Sequence, residues 1–338
     1  MNRRSWLLAL LAAALLIPIA PRPAAAAAKT IKLATIVPAG SVWDKELKNL
    51  AADVQKRTEG RIALRVYPGG VAGDDPDVVR KMRLGQLQAA TLTVDGLTEL
   101  DKGFALFSVP RFFASFEELF HVAHDLQPML AQRLDKEGFV FLGWGYGGWV
   151  YLFSKQPVYT PADVKKLKLF VWAGDNRMVQ WWKNNGFHPV PLASTDMMTG
   201  LQTGMIEALP APPLAAVALQ WYRQAPNMLE LPFGQLIGAT VITKKSWEQL
   251  TPTDQATLRE LAKAMQTRLE QAIPSQDKQA VEEMKRRGLT VTKPKDAAQM
   301  KLWEQAAAEF AASSRENVPA DVLEAARKSR DALRAGKP

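Results

Sequence analysis

The chain carries three histidines, His121, His124 and His188, and no cysteine. His121 and His124 fall one helical turn apart, a spacing that suits two metal ligands. The same spacing describes an ordinary amphipathic surface helix, which is the reading adopted, and no metal site is expected. Without cysteine there can be no disulfide, Cys-ligated zinc, iron–sulfur cluster, thiol nucleophile or acylated lipoprotein cysteine. No serine sits in a G-x-S-x-G elbow, which argues against an α/β-hydrolase. The run Gly143-Trp144-Gly145-Tyr146-Gly147-Gly148-Trp149 resembles a nucleotide loop. It neither enters a helix N-terminus nor precedes Lys-Ser or Lys-Thr, so it lacks the parts of a phosphate cradle. Its glycines predict a turn or hinge. Nothing here sets a base beside a nucleophile, so no catalytic residue, no cofactor and no enzyme is expected.

Aromatic residues are the more informative group. Of ten tryptophans, Trp43, Trp144, Trp149 and Trp172 fall beside predicted strand ends or glycine turns. Ligands bind at strand ends in open α/β sheets. Packing alone also explains any single tryptophan.

The elements that must position these residues alternate. Ile31 to Val37 reads as a buried strand, and Ser41 with Asp44 caps a helix whose apolar face is Trp43, Leu47, Leu50 and Val54. Arg61 to Tyr67 is a strand, Asp75-Pro76 opens a helix ended by Gly85, and Ala89 to Val94 is a third strand. In the second half, strands are predicted over Phe139 to Trp144, Trp149 to Ser154, Leu167 to Trp172, Ile206 to Leu209 and Ile237 to Ile242. Helices are predicted over Asp175 to Asn185, Ser194 to Thr203 and Pro213 to Gln224, and from Thr251 onward the chain is largely helical. This alternation predicts twisted, mainly parallel sheets with helices on both faces.

The 338 residues are 47% hydrophobic and 23% charged, which is globular composition of about two-domain length. Residues 1–28 read as an export signal: Arg3 and Arg4, an apolar core from Trp6 to Ile17, then A-x-A cleavage sites in Ala24 to Ala28. The core is shorter than the ~20 residues that span a bilayer. Removing Arg3, Arg4 and Arg22 leaves 40 basic against 34 acidic residues, a charge of +6. That surplus is spread thinly. Lys165-Lys166-Lys168 and Lys285-Arg286-Arg287 read as solvated helix ends, so no nucleic-acid partner is expected. An exported protein with no lipid anchor stays near its cell only behind an outer membrane, so a Gram-negative periplasm is the expected address.

Motifs in order along the chain resemble a known family. They include Ser41-Val42-Trp43-Asp44, Thr58-Glu59-Gly60-Arg61, Tyr67-Pro68-Gly69-Gly70, Leu84-Gly85-Gln86-Leu87, Pro110-Arg111-Phe112-Phe113, Lys155-Gln156-Pro157-Val158, Leu201-Gln202-Thr203-Gly204 and Gln220-Trp221-Tyr222. The chain is similar to the DctP-type substrate-binding proteins of tripartite ATP-independent periplasmic (TRAP) transporters. The resemblance implies a two-lobed periplasmic binding protein clamp with a long C-terminal helix across both lobes. Lobe I would comprise residues 29–147 and 237–275, and lobe II residues 148–236 and 276–338. A monomer would hold one small-molecule ligand in the cleft and deliver it to the small and large integral-membrane permease subunits, without itself entering the membrane.

This sequence departs from the family where ligand is held. The resemblance implies an arginine at the position of Phe170, often a second at Val150, and an asparagine at Ala211. Three polar contacts are apolar here, and a buried carboxylate without its cation is destabilised by several kcal/mol. The expected lining is therefore Trp43, Trp149, Val150, Tyr151, Phe170, Trp172, Leu209 and Ala211, for a ligand with a large apolar or aromatic part. The alternatives are a carboxylate ligand held by another cation, Arg177 or Arg111, and a periplasmic carrier or scaffold without a transport role.

Overall fold

The structure, a computed structural model, describes residues 28–173 and 176–336. The export signal thus lies outside the described residues apart from Ala28. Strand β1 (Lys29–Thr35) leads to helix α1 (Val42–Arg57) through a reciprocal cap. Asp44 N–H donates to Ser41 Oγ at 3.3 Å, and Gly40 N–H donates to Asp44 Oδ2 at 2.7 Å. Strands β2 (Ile62–Tyr67) and β3 (Ala89–Thr93) flank β1 in parallel, with α2 (Asp75–Arg83) between them. Helices α3 (Val94–Leu100) and α4 (Phe116–Lys136) follow. The second half runs β4 (Phe139–Ser154), α5 (Pro161–Val164), β5 (Lys168–Trp172), α6 (Asn176–Asn184), β6 (His188–Leu192), α7 (Met197–Thr203), β7 (Ala208–Ala211) and α8 (Pro213–Ala218). Then come β8 (Asn227–Thr243), α9 (Lys244–Trp247), α10 (Pro252–Arg286), β9 (Thr290–Thr292), α11 (Ala297–Arg315) and α12 (Ala320–Arg334).

The strands form one sheet in the order β2-β1-β3-β8-β4-β7-β5-β6, with β9 on β8. Five pairings are parallel and three antiparallel, the latter all involving β4 or β8. These two long strands pair along most of their lengths and carry the sheet from one half of the molecule to the other. The break expected at Gly143–Gly148 is absent: β4 is continuous, with register shifts near Gly143, Gly148 and Leu152. Glycine is needed there for close approach. A Cβ on Gly147 would sit 2.7 Å from Leu236, and one on Gly148, at φ +104°, would sit 2.8 Å from Asp277 Oδ1.

One apolar cluster packs β1, β3, α4 and the first half of β4 against Leu258, Met265 and Ile273 of α10. Leu152 and Phe153 then point to opposite faces of β4, into two further clusters. One holds Phe170, Met197, Leu209 and Met284, the other Leu169, Leu229 and Trp303. Helix α10 is 35 residues long and joins both halves, since Ile273 belongs to the first cluster and Met284 to the second.

Two local expectations are corrected. The helix from Pro213 stops at Ala218, because Gln220 turns left-handed at φ 57° before a 3-10 turn at Trp221–Arg223. Helix α12, expected with the second lobe, instead packs on α4 of the first cluster through Val322 and Ala326. Arg334 Nε to Glu118 Oε1 at 2.7 Å and Ser329 Oγ to Asp125 Oδ2 at 2.6 Å hold it there.

Candidate ligand-binding site

The aromatic residues gather where β4 and β8 cross between the clusters. Trp43, near the start of α1, is buried, and its Nε1–H donates to the Tyr146 carbonyl at 2.7 Å. This ties the first helix to the crossing strand. Phe116 of α4 lies 5.4 Å from Trp149 and 5.8 Å from Phe120, whose ring meets Tyr146 at 4.4 Å. Further along β4, Tyr151 stands opposite Ala211 of β7, and Phe153 opposite Leu209. Trp149, Val150, Tyr151 and Trp172 are half-buried and so offer surface at the crossing.

The remaining expected lining residues are packed away. Phe170 is 1% exposed, Leu209 0% and Ala211 2%. All three sit in the second cluster with Tyr151 and Trp172 against them, and the Phe170 and Trp172 rings meet edge to face at 5.3 Å. Phe170 therefore supports the half-buried aromatics from behind. The side chain of Arg177 lies outside the described residues.

Polar groups at the crossing were not legible from sequence pattern alone. Gln235, opposite Trp149 on β8, is buried with Nε2 unpartnered, and the Trp172 indole N–H is likewise buried without an acceptor. Asp277 of α10 accepts the Trp149 N–H through Oδ2 at 3.0 Å, while its Oδ1 has no partner. Burial pushes the Asp277 carboxyl up to about 7, although the Trp149 and Leu214 N–H groups oppose this. Burial first, then Asp277 and Glu230, pushes the nearby Tyr151 phenol up to about 12. One signal for Asp277 did exist: it interrupts the apolar stripe Leu269, Ile273, Ala280, Met284 at helical spacing.

Away from the crossing strands the two halves touch again. Asp74, at the N-terminus of α2, accepts from Ser194 N at 2.7 Å and from Ser194 Oγ at 2.9 Å. Gly70 lies against Thr195 so closely that a Cβ on it would come within 2.5 Å of the Thr195 methyl.

The histidines are used locally. His124 Nε2 meets Glu270 at 2.8 Å and Gln266 at 2.9 Å, and His121 lies 3.3 Å from Asp125. Among the described residues no cluster of three or more His, Asp or Glu could hold a metal ion, and no helix is long and apolar enough to cross a membrane.

Two α/β halves bridged by long paired strands and by helices α10 and α11, with aromatic surface and free donors at the crossing, form the architecture of a solute-binding clamp. The DctP model, bacterial extracellular solute-binding protein family 7, matches residues 33–316, and the chain belongs to that family. A solute-binding protein of Chromohalobacter salexigens is 28% identical over 221 residues, covering 64% of this chain and 65% of its own. The sialic acid-binding periplasmic protein of Vibrio cholerae is 24% identical over 280 residues, covering 79% of this chain and 84% of its own. In fold, the chain is similar to the crystal structure of a sugar acid binding protein from Advenella mimigardefordensis in complex with galactonate. The TM-score is 0.82 at 17% identity, with 89% of this chain and 99% of that one covered.

Proposed function

We propose that this protein is the periplasmic receptor of a TRAP-type secondary transporter and that its ligand has a large apolar or aromatic part. Trp149, Val150, Tyr151 and Trp172 line the ligand's apolar side, with Phe170, Leu209 and Ala211 packed behind Tyr151 and Trp172, and Trp43 held to the Tyr146 carbonyl on the facing half. The lobes pivot on β4 and β8, and the loaded monomer delivers its ligand to the small and large permease subunits. A closing cleft of this kind buries most of a small ligand and excludes water. The observation that carries the reading is the half-buried aromatic set at the crossing, backed by Phe170 where the family resemblance implies an arginine.

A second reading is supported by the unpartnered donors Gln235 Nε2 and Trp172 Nε1. They suit an acceptor such as a carboxylate, with Arg177 or Arg111 as the balancing cation. The sialic acid- and galactonate-binding proteins named above also take acids.

Native mass spectrometry of freshly purified protein identifies any co-purifying ligand, and a thermal-shift screen ranks ligand classes. Aromatic or largely apolar molecules are expected to raise the melting temperature, and simple dicarboxylates and sugar acids to leave it unchanged. Micromolar binding of a C4-dicarboxylate or a sialic-acid-like ligand would overturn the apolar reading in favour of the second.

A further inference from the structure

A separate cavity lies at the exposed end of α10. Its volume is about 420 Å³, and Tyr222, Arg223, Pro226, Arg287 and Gly288 line it. Arg223 ends the 3-10 turn Trp221–Arg223, and Arg287 caps the C-terminus of α10, so two distant segments bring guanidinium groups to one hollow. Both arginines are exposed. Tyr222 is only 3% exposed, and its hydroxyl, shielded from solvent, makes no hydrogen bond of good geometry. Arg223 first, and Arg287 after it, still lie near enough to hold the phenol below the usual tyrosine range.

The donors and acceptors around the hollow do not balance. A guanidinium only donates, and a phenol O–H needs an acceptor for its proton. Glu283 is shared by Arg286 and Arg287, so one carboxylate serves two cations. Arg223 adds a further guanidinium, and the buried Tyr222 hydroxyl has the Arg223 and Arg287 guanidiniums beside it but no acceptor for its proton. The group that satisfies all of them at once is an oxyanion, which accepts several charge-assisted hydrogen bonds together. The basic run Lys285-Arg286-Arg287, read from sequence as a solvated helix end, thus splits. Lys285 pairs along the helix with Glu282 and Arg286 with Glu283, whereas Arg287, which also meets Glu283, lines the cavity.

We propose that this cavity binds one small oxyanion, phosphate or a carboxylate, at a site distinct from the interlobe ligand. The test titrates inorganic phosphate into the purified mature protein by calorimetry, at constant ionic strength set with chloride. Saturable binding at one site is expected. The double variant Arg223→Gln/Arg287→Gln alters only exposed side chains, should melt like the wild type in phosphate-free buffer, and should lose the signal. Tyr222→Phe keeps the ring packing and removes only the hydroxyl, so it should weaken phosphate about tenfold, the scale of one hydrogen bond to a charged group. The proposal is overturned if the wild type shows no saturable phosphate binding into the tens of millimolar, or if the double variant titrates like the wild type. A Tyr222→Phe titration indistinguishable from the wild type would equally remove the hydroxyl from the site as described.

Discussion

Asp75 and Asp277 are buried carboxyls whose pKa values rise to about 7, in both cases chiefly through burial. Asp75 is 0% exposed and accepts from Thr93 N at 2.9 Å and Thr93 Oγ1 at 2.6 Å, while Oδ1 has no partner. A carboxyl raised in the folded state favours its protonated form there. Its contribution to stability is complete below the unfolded value near 4 and is lost as pH rises through about 7. Wild-type stability should therefore fall between about pH 4 and about pH 7, and Asp75→Asn should flatten the fall by on the order of 1–4 kcal/mol. Parallel denaturation profiles for the two proteins would refute this. Phe170 shows a different limit of reading single residues. Strand register with the family marks its position, but only packing shows that it is enclosed. Phe170→Ala should accordingly lower stability by about 3–5 kcal/mol, the range for deleting a core aromatic, as measured by urea denaturation.

At the level of elements, most strands and helices follow from periodicity and caps, which act within a few residues. Ser41 with Asp44, and the apolar spacing of Trp43, Leu47, Leu50 and Val54, place α1 without reference to the rest of the chain. The glycine run in β4 is the opposite case. A turn and a strand pressed against a helix both demand glycine, and the sequence alone cannot separate them. Gly148 combines φ +104° with the close approach of Asp277, whereas a Cβ on Gly145 would find its nearest neighbour at 3.9 Å. Gly148→Ala should cost roughly 1–3 kcal/mol and Gly145→Ala much less, which denaturant midpoints of the two variants will compare. Equal midpoints would mean that α10 does not constrain the bulge.

Across the whole molecule, the Asp74–Ser194 pair joins segments 120 residues apart at a point remote from the crossing strands. Removing it leaves the Gly70–Thr195 contact, the long strands, α10 and α11 among the bridges between the halves. Asp74→Ala should open the lobes, raise the radius of gyration in small-angle scattering and weaken ligand binding by roughly tenfold, on the scale of one or two charge-assisted hydrogen bonds. Ser194→Ala, which removes only the hydroxyl bond, should show a smaller change in the same direction. Scattering curves that overlay the wild type for both variants would show that the pair does not hold the lobes together.

The sequence by itself determined the alternation of strands and helices, the α/β class and the family, because these rest on local periodicity, caps and motifs in order. It also marked Trp43, Trp144, Trp149 and Trp172 as a group, through their places beside predicted strand ends or glycine turns. Tertiary structure alone decided that β4 and β8 run unbroken through both halves, that Phe170, Leu209 and Ala211 are enclosed, and that α12 returns to the first half. It alone brought Gln235 and the Asp74–Ser194 pair into view and set Asp277 against the Trp149 N–H. Each of these depends on which distant surfaces meet, and a pattern read along one segment carries no information about the segment that will pack against it.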